Sequence, residues 1–103
     1  MIHLRTKDNL FMSYEFRSLL GLIRISKEAI YIFSLYNKNI GDGSFKAFME
    51  YVESSKKPII ILNVRNSRLW HHFRHQGYQP HNGKVLGTEL SFKDSLIKIT
   101  HCD

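Results

Sequence analysis

At 103 residues, with 43% hydrophobic and 23% charged side chains, the chain is long enough for one core and too short for two, so a single domain over residues 1–103 is expected. No apolar run approaches a membrane span, the amino terminus lacks the apolar stretch of a signal peptide, and no low-complexity tract occurs; a soluble cytoplasmic protein is expected. Cys102 is the sole cysteine, which excludes an internal disulfide or a cysteine metal site, while a net charge of +6, spread without a Lys/Arg block, favours anionic partners such as nucleic acid, an acidic protein surface or a polyphosphate cofactor.

In chain order, a turn at Lys7-Asp8-Asn9 precedes Leu10–Phe16, which suits a strand with Met12, Tyr14 and Phe16 on one face. Ser18–Ser26 is apolar and interrupted by Gly21, the mark of a bulge or a close backbone approach. With the β-branched and aromatic run Ala29–Tyr36 it reads as a hairpin across Ser26-Lys27-Glu28. After a loop at Asn37–Gly43, the spacing of Phe45, Phe48, Met49 and Val52 predicts a helix from Ser44 to Ser55, ended by Pro58 acting on Lys57. Ile59–Leu62, three of its four residues β-branched, reads as a central strand buried on both faces. Asn66 is then a natural N-cap for a helix that buries Leu69, Trp70 and Phe73, turns His71, Arg74 and His75 outward, and stops at Gly77. Gln79–Lys84 reads as a loop, and Thr88–Phe92 with Leu96–Thr100 as a closing hairpin. The order is β-β-β-α-β-α-β-β: an α/β domain whose mixed, mostly antiparallel sheet holds a central parallel pair.

Strand, Asn, then a helix ending in Gly plus an aromatic eleven residues after Asn66 resembles the C-terminal half of the GCN5-related N-acetyltransferase (GNAT) superfamily, and the resemblance runs from about Leu19 to Thr100. The N-terminal part is short for that family, so the fold implied is GNAT-like and truncated at the N-terminus. The resemblance implies an N-acetyltransferase that moves an acyl group from acetyl-CoA to an amine acceptor. It implies that the backbone of Lys38-Asn39-Ile40-Gly41-Asp42-Gly43, together with Ser44, holds the cofactor pyrophosphate at a helix N-terminus. It implies further that the fourth and fifth strands splay apart and that the pantetheine arm pairs with Phe33 and Leu35, with Asn66 and Phe73 on the helix side of the cleft. Phe73 stands where the family carries a Tyr that protonates the departing thiolate, which leaves His72 and Tyr36 as candidate proton donors. A two-glycine loop before a helix reads equally as a plain turn.

Phe48-Met49-Glu50-Tyr51 and the Asn66 to Gly77 spacing also look like the GNAT-like internal virion proteins of short-tailed phages, which implies an alternative: a fold kept without its chemistry, in a virion or host-interaction role, with a protein partner or a second copy of the chain. A third reading is a basic nucleic-acid-binding module using Arg65, Arg68 and Arg74 on phosphates. His71 and His75 lie one helical turn apart without a third ligand, so no metal site is expected. No Ser-His-Asp or paired-carboxylate arrangement stands out for hydrolysis.

Overall fold

The fold is built outward from Ile59–Ile61 (β5), whose three isoleucines are all buried. The computed structural model describes residues 3–6 and 11–99. On one side β5 pairs in parallel with Ile30–Asn37 (β4), in the register Ile30↔Ile59, Tyr31↔Ile60 and Ile32↔Ile61, and on the other it pairs antiparallel with Ser95–Lys98 (β7). A parallel neighbour requires a crossover, which is the helix Ser44–Glu53 (α1) between the two strands. Leu19–Ile25 (β3), Met12–Phe16 (β2) and His3–Thr6 (β1) continue the sheet by antiparallel pairing beyond β4, and Gln79–His81 (β6) closes the far edge. Among the described residues the sheet has seven strands in the order β1-β2-β3-β4-β5-β7-β6, an α/β architecture with one parallel pair inside an otherwise antiparallel sheet.

The two sheet faces are covered differently. Phe48, Met49 and Val52 of α1 and Phe73 of the second helix, Ser67–His75 (α2), pack on one face against Tyr14, Leu19, Ile23, Ile32 and Ile61. The opposite face buries Tyr31, Ile60 and Leu62 beneath Val85, with Leu90 and Phe92 partly buried beside it, so an irregular segment does there what a helix does on the first face. Its attachment is polar as well as apolar, since Leu86 donates its N–H to the Tyr31 hydroxyl at 3.1 Å, and the segment is closed on itself by the Phe92 N–H, which reaches the Gly83 carbonyl at 3.1 Å.

α2 begins and ends as expected. Asn66 Oδ1 accepts the N–H groups of Arg68 and Leu69 at 2.9 and 3.1 Å. At the other end Gly77 has φ 94°, its N–H reaches the Arg74 carbonyl, and the N–H of Tyr78 reaches the Phe73 carbonyl at 3.0 Å, a Schellman closure that needs a left-handed residue. Tyr78 is fully buried and donates to Glu53 Oε2 at 2.8 Å, with Lys98 Nζ 3.8 Å from the same oxygen; this knot ties the end of α1 to β7. Burial first, then the Glu53 carboxylate, push the Tyr78 phenol far above its ordinary range, so it remains a donor.

Several expectations need correction. Thr88–Phe92 is not a strand: only the isolated bridge Lys84↔Ser91 touches it, and β7 pairs instead with Gln79–His81, inside the stretch expected to be a loop. Pro80 is tolerated there because β6 is an edge strand which, among the described residues, has no outer neighbour to receive an N–H. β1 is a strand beyond the expected order, while Lys7-Asp8-Asn9, Leu10 and Thr100 lie outside the described residues. On α2 only Phe73 is fully buried; Leu69 and Trp70 pack partly, Leu69 because its outer side borders an open cavity.

Candidate functional site

β4 and β5 begin as a parallel pair and then part. Their last hydrogen bond is from the Leu62 N–H to the Ile32 carbonyl, at 2.8 Å. Immediately afterwards Asn63 turns to φ 56°, its N–H goes to Ser95 Oγ at 3.2 Å, and Val64 donates to the Asp94 carbonyl at 2.7 Å. The continuation of β5 is therefore drawn toward the β7 side and away from β4.

β4 contributes its own irregularity. In the β3–β4 register, Leu22 faces Ser34 and Ile23 faces Ile32, so Phe33 is an extra residue with no partner across the pair, a β-bulge. The bulge switches the direction of the main chain. Before it, Ile32 points its carbonyl at β5; after it, the Ser34 carbonyl lies on the β3 side, where the Tyr14 hydroxyl donates to it at 3.2 Å, and Lys38 donates its N–H to Ser18 at 2.8 Å. Since strand residues alternate in direction, Leu35 and Asn37 aim their main-chain groups at the open side. The bulge requires a residue without a side chain on β3. A Cβ on Gly21 would fall 1.8 Å from the Ser34 carbonyl oxygen and 2.5 Å from Tyr14 Oη.

The notch left between the strands is a space of about 300 Å³, lined by Phe33, Leu35, Asn63, Arg65, Asn66 and Leu69 among others. It adjoins a larger one of about 670 Å³ that shares Leu35, Asn66 and Leu69 with it and reaches Tyr36, Gly41, Gly43 and Lys46. Both volumes are in the range of small-molecule sites, and the lining is mostly apolar with a few polar groups.

At the far end lies the glycine loop. Residues 38–43 are all exposed, Ile40 at 89%, and Ser44 is buried. Gly41 and Gly43 have φ of 95° and 86°, and a Cβ on either would meet nothing within 4 Å, so the glycines serve the backbone path and leave the space above it open. Asp42 turns back on the helix: Oδ1 accepts the Ser44 N–H at 2.8 Å and Oδ2 the Ser18 hydroxyl at 2.6 Å. The Ser18 hydroxyl first, then the Ser44 N–H, hold its carboxyl below the usual range. The first N–H of α1 is thus taken by the chain's own carboxylate. Those of Phe45 and Lys46 follow in the first turn, where no intrahelical acceptor exists. Lys38 Nζ lies 3.8 Å from Glu15 Oε2.

Phe33, Leu35, Ile40, Gly41, Gly43 and Asn66 are therefore gathered on these two spaces, as is Tyr36, whose side is 63% exposed. Lys38, Asn39 and Asp42 stand on the loop beside them. Phe73 and His72 are elsewhere. Phe73, at 1% exposure, and His72 line another groove of about 300 Å³ between α1 and α2, which meets the larger space at Phe45 and Lys46; there Phe73 is tilted against Phe45 and His72 meets it edge-on, at 5.8 and 5.5 Å between centroids. Lys46, Arg65 and Leu69 line the notch and its extension without having been singled out for it. Lys46 is the third residue of a helix behind a glycine loop, a place the sequence marks, whereas the helical phase of Leu69 points to the core and hides its share in the cavity.

Among the described residues no three His, Cys, Asp or Glu side chains are grouped to hold a metal ion, and no helix is long and apolar enough to cross a membrane. No protein-family model, curated protein or solved structure gives a significant match to the chain, so the site stands on its own geometry: a bulged strand, a notch beside it and a glycine loop at the notch's outer end.

Proposed function

We propose that the chain is a GNAT-like domain that takes an acyl-CoA along the β4/β5 notch and transfers its acyl group to an amine acceptor. One observation carries the reading: past Ile32 the parallel pair opens, and Leu35 and Asn37 offer main-chain groups along the notch and the larger, mostly apolar space that continues it. A thin amide-containing arm such as pantetheine suits that edge, because it can pair with a strand as an added peptide does. The outer end suits a pyrophosphate: the first turn of α1 offers the N–H groups of Phe45 and Lys46, with the Lys46 side chain on the same space. Acyl-CoA supplies an activated thioester. The chain would supply alignment, worth several orders of magnitude by proximity, with Tyr36 the phenol on the larger space.

A second reading, a GNAT-like fold that has lost its chemistry and serves a structural or interaction role, is favoured by two observations. Asp42 places a carboxylate where a phosphate oxygen would bond to Ser44, and Phe73 both lacks a hydroxyl and lies outside the notch. Thermal melts with acetyl-CoA, paired with a thiol-release assay over a panel of amines, separate the two. At one hundred times its dissociation constant the ligand should stabilise by about 2.7 kcal/mol. No shift at millimolar acetyl-CoA removes the acyl-CoA reading; a shift without thiol release selects the second.

A further inference from the structure

The distribution of charge is uneven in a way that the net value hides. Between Glu53 and Glu89 there is no Asp or Glu, while the same stretch carries Lys56, Lys57, Arg65, Arg68, Arg74 and Lys84 and four histidines. α2 lies in the middle of it. With Phe73 turned to the core, Arg68, His71 and His75 follow the i, i+3, i+7 spacing on the opposite side, flanked by Arg74, and all four are exposed. Arg65, also exposed, precedes the N-cap. None of Arg65, Arg68 and Arg74 has a carboxylate within salt-bridge distance among the described residues, where the pairs are Lys38 with Glu15 and Lys98 with Glu53. The face is thus cationic and not neutralised from within.

We propose that this face of α2 docks on the phosphate backbone of duplex DNA, independently of the acyl-CoA reading. Its chemistry favours that partner over others. Among the described residues the exposed large apolar side chains are Ile25, Tyr36, Ile40, Tyr51, Leu86 and Ile99, none of them on α2, so the face lacks both the apolar anchors of a protein interface and the apolar edge that enters a membrane. Trp70 and Phe73 pack toward the core, so α2 offers single-stranded bases only histidine rings and no free indole or phenyl face. What remains is a convex helix about 13 Å long, bearing arginines and ring N–H donors, of a width that a B-form major groove admits and the narrow one of duplex RNA does not.

Counterion release sets the size of the effect. Three arginine–phosphate contacts predict a slope of about −2.7 for log affinity against log salt, a loss of about 40-fold between 50 and 200 mM. Fluorescence anisotropy with a labelled 20-base-pair duplex of mixed sequence measures it. In the double variant Arg68→Gln/Arg74→Gln the slope should fall to about −0.9. Lys27→Gln/Lys93→Gln, which removes the same charge from exposed positions off the helix, should leave it unchanged; circular dichroism and a thermal melt confirm that each variant is folded. Absence of duplex binding at 50 mM salt, equal losses in the two double variants, or tighter binding to single-stranded DNA or to polyglutamate than to the duplex would each overturn the assignment.

Discussion

Gly21→Ala puts the bulged notch to its hardest test, because one methyl group is set against the main chain of β4. The added carbon would sit 1.8 Å from the Ser34 carbonyl oxygen, 2.5 Å from Tyr14 Oη and 2.6 Å from Tyr14 Cε1. A carbon–oxygen contact needs more than 3 Å, so β3 and β4 must separate by over an ångström to clear the Ser34 oxygen, and the Tyr14 ring, stacked on Phe48 at 4.7 Å, must shift as well. Overpacking of this kind costs about 1–3 kcal/mol, and breaking the part-buried Tyr14 to Ser34 hydrogen bond adds about 1. The sum, about 2–4 kcal/mol, is a sizeable part of the 5–15 expected for a domain of this size. Urea unfolding followed by Trp70 fluorescence measures it, with Tyr14→Phe as the control that removes the hydroxyl and leaves the ring; that variant should lose only about 1 kcal/mol. A Gly21→Ala protein within 0.5 kcal/mol of wild type would show that Ser34 does not turn toward β3 and that the notch, as described, is absent.

Phe73→Ala should destabilise by about 3–5 kcal/mol in the same assay, whereas Phe73→Tyr should change stability without raising acetyl transfer, since its ring lies in the groove between the helices; a gain in turnover would move that ring into the notch. Gly43→Val forces a β-branched residue to φ 86° and should cost about 1–2 kcal/mol and abolish any acetyl-CoA-dependent thermal shift; an undiminished shift would take the loop out of the site. Asp42 has a carboxyl pKa lowered in the folded state, so its contribution is fully present above the unfolded value of about 4 and is lost as pH falls through the folded one. The difference in urea midpoint between wild type and Asp42→Asn should therefore hold steady from pH 8 to 5 and shrink below about pH 4; a steady difference down to pH 2 would contradict the hydrogen bonds to Ser18 and Ser44.

The parts of the fold that were legible in the sequence are those where a local rule and the tertiary environment agree. Ile59–Ile61 is apolar on both faces because it has neighbours on both edges and cover on both sides, and Asn66 and Gly77 bound a helix by backbone chemistry that needs no partner. Gly21 announced a close approach, though what approaches it, the Ser34 carbonyl, is a long-range fact. Thr88–Phe92 misled because Leu90 and Phe92 alternate with polar residues as in a strand that packs on a sheet, and they do pack on one, without pairing in it. Pro80 misled in the other direction, since proline argues against a strand unless that strand has a free edge, and edges are a property of topology. In the site, the loop glycines and β4 were legible from their order along the chain; the direction of Leu35 depends on a one-residue slip at Phe33, and the place of Phe73 on how two helices meet, neither of which leaves a local trace.

Covering one sheet face with helices and the other with a tethered irregular segment gives the molecule two doors of unequal strength. Closing the helical face takes cooperative turns of α1 and α2, locked by rings around Phe48 and Phe73. The other closure hangs on Val85, on two partly buried side chains and on single hydrogen bonds such as that of Leu86 to Tyr31. Sub-global opening should start there, with the amides of Leu86 and Phe92 exchanging with solvent deuterium before those of β5, which need the whole sheet to come apart. A protease cutting the native protein should find its first site in the same segment. Release of 82–94 would expose Tyr31, Ile60 and Leu62 while the sheet and both helices remain, so the first partly unfolded species would be sticky on one side only and would associate through that side.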